Sequence, residues 1–398
     1  MTVTSTAGPA PSAPRPPAPD RAGAARPTRP VVSELRLGSF ASHRRTVIPL
    51  GPFTLLTGAS GTGKSTALSG YGALARLAAG DPLEEVFPDP SAWVPERSAA
   101  DAQGRRGFRL GCAVDGPAGP VDLELAVQAE PELRIVGERL SDGRGPLLST
   151  ALRDPRRSVL QAVRHTAGEV PVARVPFPDD RLGTALLPLR LAGATAGERR
   201  VLSAAEQVVV ALRSAFVCDP QPRHMRDAVP LGEGRLTSSC DNLAEVLHRT
   251  HSQCAQRHAR LVATAGAGCA GPVAGLGVER LADGRVRARV DRGGGAGTPL
   301  GRLGSGELRY LAFALVLLTG PHVLVVEPAA EVPSAMQTLT VLADGLDRDL
   351  DVRQTDELLS LAASICAGGH MRLLGTVGEP AARRARAATG AVVVDLAE

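Results

Sequence analysis

Short segments in which apolar and polar residues alternate dominate the first part of the chain. Alternation with a period of two is typical of strands with one buried face. Strands are predicted at residues 32–37, 46–50, 53–57, 107–114, 121–128 and 133–140. Residues 64–79 are rich in Ala and Leu and predict a helix instead. Residues 141–195 are mixed and contain several prolines, so no regular element is assigned there.

The second part of the chain has longer apolar periods. Residues 197–217 and 241–263 predict two helices, with Asp241 as a suitable N-cap of the second. A second group of strands covers residues 273–290. Beyond it the predicted elements are a helix at 307–318, a strand at 323–327, helices at 334–348 and 354–367, a strand at 371–377, a short helix, and a strand at 391–395. Such alternation is typical of a mostly parallel α/β sheet.

Composition sets limits on the class of protein. The 398 residues are 43% hydrophobic but only 3% aromatic, so the core is built mainly from Leu, Val and Ala. A net charge of +4 does not by itself indicate a nucleic acid or membrane partner. The six cysteines form no CxxC pair, the start has no signal-like apolar region, and the apolar stretch at 310–318 is too short to span a bilayer. A cytoplasmic protein without membrane insertion is expected.

The segment after the predicted strand at 53–57 carries the strongest chemical signal. It reads Gly58-Ala59-Ser60-Gly61-Thr62-Gly63-Lys64-Ser65-Thr66 and opens the predicted helix, which fits G-x-x-x-x-G-K-[ST] in its strand–loop–helix context. The glycines allow backbone N–H groups to surround phosphate, and the helix N-terminus adds its dipole. Lys64 is expected to reach the β- and γ-phosphates, and the Ser65 hydroxyl is expected to bind Mg²⁺. A chance glycine-rich turn is the alternative.

Lys64 is also the only lysine in the chain, although Lys and Arg together number 45. The abundance of Ala, Gly, Pro and Arg indicates a coding bias under which Lys is replaced wherever Arg will serve. A lysine that persists at residue 64 indicates a position that needs a compact point charge and not a planar fork. This supports the assignment of Lys64 to a phosphate site.

A second glycine loop precedes the helix predicted at 307–318. Residues 303–307 read Leu-Gly-Ser-Gly-Glu, and the helix N-terminus is a second candidate anion site. The apolar strand predicted at 323–327 ends in Glu327, followed by Pro328. An acid at the end of such a strand is where a P-loop enzyme binds Mg²⁺ or polarises water, which makes Glu327 a candidate metal-binding and catalytic residue.

Taken in order, these motifs resemble the nucleotide-binding head of the ABC class, specifically the bacterial SMC/RecF-like ATPases. Further pieces fall in the same order as in that family. They are Ser39-Phe40-Ala41-Ser42 before the P-loop strand, the strand pattern containing Glu138, the pair Met225-Arg226, the run Asp241-Asn242-Leu243-Ala244, and the signature-like stretch 303–312. The resemblance covers most of residues 31–398.

The resemblance implies a P-loop NTPase fold of the α/β class, an ABC-like head with a mixed sheet and a helical insertion. Residues 1–30 are expected to be a disordered Pro/Ala/Arg-rich tail, 31–140 the N-terminal lobe, 141–270 the insertion, and 271–398 the C-terminal lobe. The family binds ATP with Mg²⁺ and pairs two heads head to tail. Gly304, Ser305 and Gly306 are then expected to close on ATP held by the partner, while Glu327 polarises the attacking water.

The sequence departs from the family at three hydrolytic positions. Val326 stands where the first of two acids is expected, Gly304 replaces the signature serine, and Val377 replaces the histidine after the last core strand. Two functions therefore stay open: an ATPase acting as a head-to-tail dimer, and a nucleotide-gated scaffold with little or no hydrolysis. A small-molecule kinase or transporter ATPase fits less well, because about 240 residues separate Lys64 from Ser305.

Other features carry weaker predictions. His248, His251, Cys254 and His258 share an arc of one predicted helix, where either a metal site or a polar surface is conceivable. Gln103 is the nearest candidate for the family's Q-loop glutamine. Heads of this type serve DNA repair, chromosome organisation and phage defence, so DNA or a partner protein stays open as a further partner.

Overall fold

A computed structural model describes residues 28–152, 159–164, 174–295, 297–326, 329, 332–387 and 390–396. The strands are β1 (Val31–Phe40), β2 (His43–Pro49), β3 (Phe53–Thr57), β4 (Arg106–Asp115), β5 (Val121–Glu130), β6 (Arg134–Asp142), β7 (Gly145–Ala151), β8 (Val159–Arg164), β9 (Arg174–Pro178), β10 (Ala215–Cys218), β11 (Gly275–Arg280), β12 (Val286–Asp291), β13 (Thr298–Pro299), β14 (Leu339–Ala343), β15 (Met371–Thr376) and β16 (Ala391–Asp395). The helices are α1 (Lys64–Ala79), α2 (Leu83–Val86), α3 (Gly183–Leu186), α4 (Ala196–Arg213), α5 (Leu243–Gln253), α6 (Ala255–Gly268), α7 (Ser305–Leu318), α8 (Val352–Ala367) and α9 (Glu379–Ala387).

An eight-stranded antiparallel sheet forms the first half of the fold, in the order β2-β1-β4-β5-β6-β7-β8-β9. Residues of alternating burial along β4 and β5 give it one apolar face, as expected for an antiparallel sheet with one face on a core. Helices α1 and α4 pack against each other and against this sheet. The predicted boundary at residue 140 falls inside β6, which pairs with β7 in the same sheet.

A five-stranded parallel sheet forms the second half, in the order β10-β14-β15-β3-β16. Its central strands β3 and β14 are buried at every residue, which is expected where helices cover both faces of a parallel sheet. This architecture confirms the predicted α/β class. The carboxyl ends of β3, β10 and β14 lie at the same edge, and the residues that follow them form the candidate site.

Helix α7 is the centre of the second core. Ten successive residues, from Leu308 to Leu317, are buried, so the helix contacts protein on all sides. It packs against α6 and α8, and Arg309 is the only charged residue within that buried run. A three-stranded sheet, β11-β12-β13, packs beside α5.

Four predicted elements are corrected by the structure. The helix predicted at 334–348 is wrong, because a 3-10 turn at Ser334–Met336 is followed by β14. The strand predicted at 323–327 is also wrong where it is described: Pro321–Val323 is a 3-10 turn, and Leu324 forms only an isolated bridge with Leu236. The helix predicted at 197–217 ends at Arg213 and gives way to β10.

The fourth correction concerns the helix predicted at 241–263, which divides at Cys254 into α5 and α6. Cys254 has φ −152° and ψ 87°, outside the helical range, so α5 ends and α6 begins at this residue. The remaining predicted strands and helices after residue 31 correspond to observed ones within a few residues. No helix among the described residues is both long and apolar enough to cross a membrane.

Candidate nucleotide site

The glycine loop between β3 and α1 has the backbone that its sequence predicts. Gly58, Gly61 and Gly63 have φ of 133°, 85° and 92°, values that residues with a side chain rarely adopt. The side chains of Ala59, Ser60 and Ser65 are exposed, while those of Thr62, Lys64 and Thr66 are half-buried. The loop therefore turns at the N-terminus of α1, with several of its side chains exposed.

Lys64 lies over this loop. Its Nζ donates to the carbonyl oxygens of Gly58 at 2.7 Å and Ala59 at 2.9 Å. The ammonium charge is thus held above the first residues of the loop, where the backbone turns around the helix N-terminus. A compact cation at the N-terminus of a helix is an arrangement suited to phosphate.

His43, which the sequence analysis did not single out, contacts the last glycine of the loop. Its side chain is buried, and Nε2 lies 3.0 Å from the carbonyl oxygen of Gly63. Because a carbonyl oxygen only accepts, Nε2 carries the proton, and Nδ1 accepts from Thr46 Oγ1 at 3.1 Å in the neutral ring. A Cβ at Gly63 would overlap the side chains of Ser42 and His43. The turn between β1 and β2 therefore fixes the glycine before Lys64.

Asp344 is the acid that faces the glycine loop. Strand β14 ends at Ala343, and the Ser65 hydroxyl donates to Asp344 Oδ1 at 2.9 Å. Thr376, at the end of β15, donates to the same oxygen at 2.7 Å. A serine hydroxyl and a carboxylate at this separation are hard oxygen ligands of the kind that Mg²⁺ prefers. The donor set fits Mg²⁺, which Ser65 and Asp344 would hold.

This geometry places beside Ser65 an acid that the sequence analysis did not single out. Strand β14 is separated from β3 by β15 alone, and its acid reaches Ser65 across the sheet edge. Glu327 itself lies outside the described residues, so its predicted role stays untested. The described residues just before it are bound elsewhere: Arg235 donates to the carbonyl oxygens of Leu324 at 3.1 Å and Val326 at 2.6 Å.

The residues around Asp344 add no further acid or histidine to the site. Gly345, directly after Asp344, has no side chain, and the carboxylate of Asp347 accepts from the N–H of Gly378 at 3.0 Å. Val377, which follows β15, is buried and apolar. Ser65 and Asp344 therefore face each other with neither an acid at residue 345 nor a histidine at residue 377.

The second glycine loop is built differently. Gly304 precedes α7 with φ −63°, and its N–H donates to Glu307 Oε2 at 3.1 Å. Arg226 donates through Nη1 to the carbonyl oxygens of Gly301 and Leu303, each at 2.7 Å. The helix N-terminus that was predicted as an anion site thus already has a carboxylate on its first N–H. Ser305 is exposed, while Gly306 is half-buried.

Arg309 joins this helix to the acid-bearing strand. Its side chain is 1% exposed and donates to the carbonyl oxygens of Pro220 at 2.6 Å, Asp344 at 3.0 Å and Gly345 at 2.8 Å. Burial, with a smaller effect from the charge of Arg348, lowers the pKa of Arg309. The signature-like helix and the carboxyl ends of β10 and β14 are therefore held together by one guanidinium.

Asp219 and Gln221 follow β10 at the same edge. The register pairs Cys218 with Ala343, so Asp219 and Asp344 follow their strands in step. Gln221 Nε2 donates to Asp219 Oδ2 at 2.7 Å. Gln221 is thus a better placed candidate for the Q-loop glutamine than Gln103, which lies in an exposed turn away from these strand ends.

Other motif residues have structural roles. Glu138 accepts from the N–H groups of Gly183 at 2.7 Å and Thr184 at 2.6 Å, and burial raises the pKa of its carboxyl. Asn242 Nδ2 donates to Arg235 O at 2.8 Å and orders the loop before α5. These contacts explain why such polar residues lie in otherwise apolar segments.

The histidine cluster does not assemble into a metal site. His251 Nδ1 lies 3.3 Å from His258 Nε2, whereas His248 Nε2 faces Arg280 Nη2 at 3.4 Å. Within the described ranges, no group of three or more His, Cys, Asp or Glu side chains is arranged to hold a metal ion. The break at Cys254 separates residues that a continuous helix would have aligned.

Comparisons with known proteins find similarity in structure alone. No protein-family model matches the chain, and no curated protein sequence matches it. The chain is similar to an SMC head bound to the C-terminal winged-helix domain of ScpA, with 13% identity, 87% and 90% coverage of the two chains, and a TM-score of 0.48. The SMC head domain from Thermotoga maritima has 13% identity, 89% and 92% coverage, and a TM-score of 0.41.

A third similar structure is an SMC head with an extended coiled coil, bound to the C-terminal domain of ScpA derived from Pyrococcus furiosus. It has 12% identity, 88% and 90% coverage, and a TM-score of 0.43. These structures are heads of the group whose motifs the sequence resembles. At such identities and TM-scores, no activity or partner is transferred from them to this chain.

Proposed function

We propose that the chain binds Mg-ATP and acts as a nucleotide-gated switch with slow turnover. The observation that carries the proposal is the 2.9 Å contact between Ser65 and Asp344, which brings a metal-binding pair to the mouth of the glycine loop. Lys64 and the loop N–H groups supply charge and hydrogen bonds for the phosphates. When bound, Mg²⁺ would supply charge neutralisation of the phosphates, with Ser65 and Asp344 as protein ligands.

Slow turnover is proposed because this chain presents no acid at residue 345 and no histidine at residue 377. General-base and electrostatic contributions of this kind are each worth about 10²–10⁴ in rate. Thr376, which does lie at the site, is committed to Asp344 and to the N–H of Gly345, which it accepts at 2.7 Å. The binding groups are thus complete, whereas the groups that would activate water are not.

Pairing of two chains around the nucleotide is part of the proposal. Gly304 and Ser305 are exposed at the start of α7, and their backbone is fixed by Arg226 and Glu307. A rigid, exposed loop is suited to contact a second chain. Sizing of the protein with and without Mg-ATP tests this step, and a monomer at saturating Mg-ATP would contradict it.

A second candidate is an ATPase with ordinary turnover, which the carboxylate of Asp344 beside Ser65 favours. Steady-state phosphate release separates the two functions. Turnover near that of an ordinary ATPase in the wild-type protein would contradict the switch and support the enzyme.

The metal assignment is tested with Asp344→Asn. Removal of the carboxylate charge is expected to weaken ATP affinity about tenfold in the presence of Mg²⁺ and to leave affinity in EDTA nearly unchanged, because a charged ligand contributes roughly 1.5–3 kcal/mol. Asp347→Asn is the matched control, since Asp347 accepts from Gly378 on the neighbouring turn. Equal Mg²⁺ dependence in the wild type and Asp344→Asn would refute the assignment.

A further inference from the structure

Arg348 occupies the space beside Asp344 that a side chain at residue 345 would fill. A Cβ built on Gly345 would lie 2.7 Å from Arg348 Nε, 2.8 Å from Nη2 and 2.9 Å from Cζ. Gly345 also has φ 60°, which disfavours residues with a side chain. Because residue 345 has no side chain, the guanidinium of Arg348 can occupy this space.

The guanidinium is held between two carboxylates. Nη2 donates to Asp344 Oδ2 at 3.2 Å, and Nη1 lies 3.7 Å from Asp219 Oδ1. Asp344 thus accepts a hydrogen bond from Ser65 on Oδ1 and one from Arg348 on Oδ2. Because the side chain of Arg348 is 49% exposed, the guanidinium is also open to the solvent side of the strand ends.

We propose that Arg348 binds the terminal phosphate of the bound nucleoside triphosphate and thereby lets the site distinguish triphosphate from diphosphate. The inference rests on the proposed function and deepens it. A carboxylate at residue 345 would activate water, whereas the guanidinium that occupies its place binds phosphate oxygens.

Position supports this assignment. In P-loop proteins the loop serine and the strand-end aspartate hold the metal that accompanies the β- and γ-phosphates. Ser65 donates to Oδ1 of Asp344, and Arg348 donates to Oδ2 of the same carboxylate at 3.2 Å. The guanidinium therefore lies on the carboxylate that would hold the metal, and its half-exposed side chain is accessible to a ligand.

Chemistry supports it as well. The planar guanidinium offers parallel N–H donors that match two phosphate oxygens, and charge-assisted bonds of this type are the strong ones. Arg309, the other guanidinium nearby, has its Nη donors committed to the carbonyl oxygens of Pro220, Asp344 and Gly345. Arg348 is thus the guanidinium at this edge with a geometry suited to a ligand.

The test compares dissociation constants for Mg-ATP and Mg-ADP in the wild type, Arg348→Ala and Arg348→Lys. Arg348→Ala is expected to lose about tenfold or more in ATP affinity and to keep its ADP affinity, because the lost contact is to the third phosphate alone. Arg348→Lys is expected to recover part of the loss, since the charge remains and the fork does not.

Arg285→Ala is the matched control, because Arg285 also pairs with an aspartate, Asp283, at 2.7 Å with similar exposure, on the turn between β11 and β12. It is expected to change neither affinity. Unchanged ATP affinity in Arg348→Ala, tighter ATP binding, or an equal loss for ATP and ADP would each overturn the proposal. A wild-type protein that binds neither nucleotide would instead refute the proposed function. If Arg348→Ala does not fold, Arg348→Lys alone is compared with the wild type. An unchanged ratio of ATP to ADP affinity in Arg348→Lys would then overturn the proposal.

Discussion

Both glycine loops of this protein precede a helix that packs in a hydrophobic core, yet the two loops make different contacts. The loop before α1 has three glycines at positive φ, and Lys64 donates to its first two carbonyl oxygens. The loop before α7 has ordinary φ at Gly304, whose N–H donates to Glu307 of the same helix. Two loops of similar composition therefore differ in backbone conformation and in the side chains that bind them.

The difference agrees with the partner proposed for each loop. A lysine over a glycine-rich turn at a helix N-terminus suits phosphate. In the loop before α7, Arg226 binds two carbonyl oxygens and Glu307 binds the N–H of Gly304, which fixes the shape of the loop and suits contact with a second chain.

Lys64→Ala is expected to show the largest difference in nucleotide affinity between variants of the two loops. Loss of the ammonium is expected to weaken nucleotide affinity by about 10–100-fold, because a hydrogen bond to a charged group contributes roughly 1.5–3 kcal/mol. Ser305→Ala, in the other loop, is expected to leave affinity unchanged in dilute protein and to reduce only nucleotide-dependent pairing. Titration calorimetry at low protein concentration measures the first effect and sizing the second. Equal losses of affinity in both variants would contradict the contrast.

Gly306→Ala and Gly304→Ala test the loop before α7. A Cβ at Gly306 would overlap the carbonyl oxygen of Asp349, so this variant is expected to lose about 1–3 kcal/mol of unfolding free energy. A Cβ at Gly304 would have Glu307 Oε2 as its nearest neighbour, at 3.7 Å, in ordinary contact, so little change is expected there. Urea unfolding monitors both. Similar stabilities of the two variants would show that Gly306 is not tightly packed.

His43 gives the loop before α1 a dependence on pH. Burial lowers the pKa of His43 below its ordinary value of 6.5. The unfolded chain therefore binds more protons than the folded protein, and stability falls as the pH drops through 6.5 toward the lower folded value. His43→Gln is expected to flatten the fall in unfolding free energy between pH 7.5 and 5.5. Burial, with a smaller effect from His251, also lowers the pKa of His258, so His258→Gln is expected to flatten this fall as well and the two effects to add in the double variant. An unchanged slope in His43→Gln would contradict this account.

Much of the fold followed from local pattern. The strand, loop and helix from Phe53 to Ala79 were predicted as observed, because period-two and period-3.6 patterns and glycine positions are local properties. The error at residues 334–348 arose because Leu339–Ala343 is apolar at four of its five positions, and a short buried run does not distinguish a strand from a helix. The break at Cys254 left no glycine or proline signal in the sequence.

The sequence by itself determined Lys64 and the phosphate loop, since every residue of that motif lies within nine consecutive positions. Only the tertiary structure identified Asp344, because 279 residues separate it from Ser65 and parallel strands alone bring the two together. The same holds for Arg348, whose guanidinium is recognised as the substitute for a side chain at Gly345 only when both are seen in space. The glycine-loop motif consists of consecutive residues and can be recognised in the sequence. The choice between the acid-bearing segments of Glu327 and Asp344 depends instead on which strands pair in the folded chain.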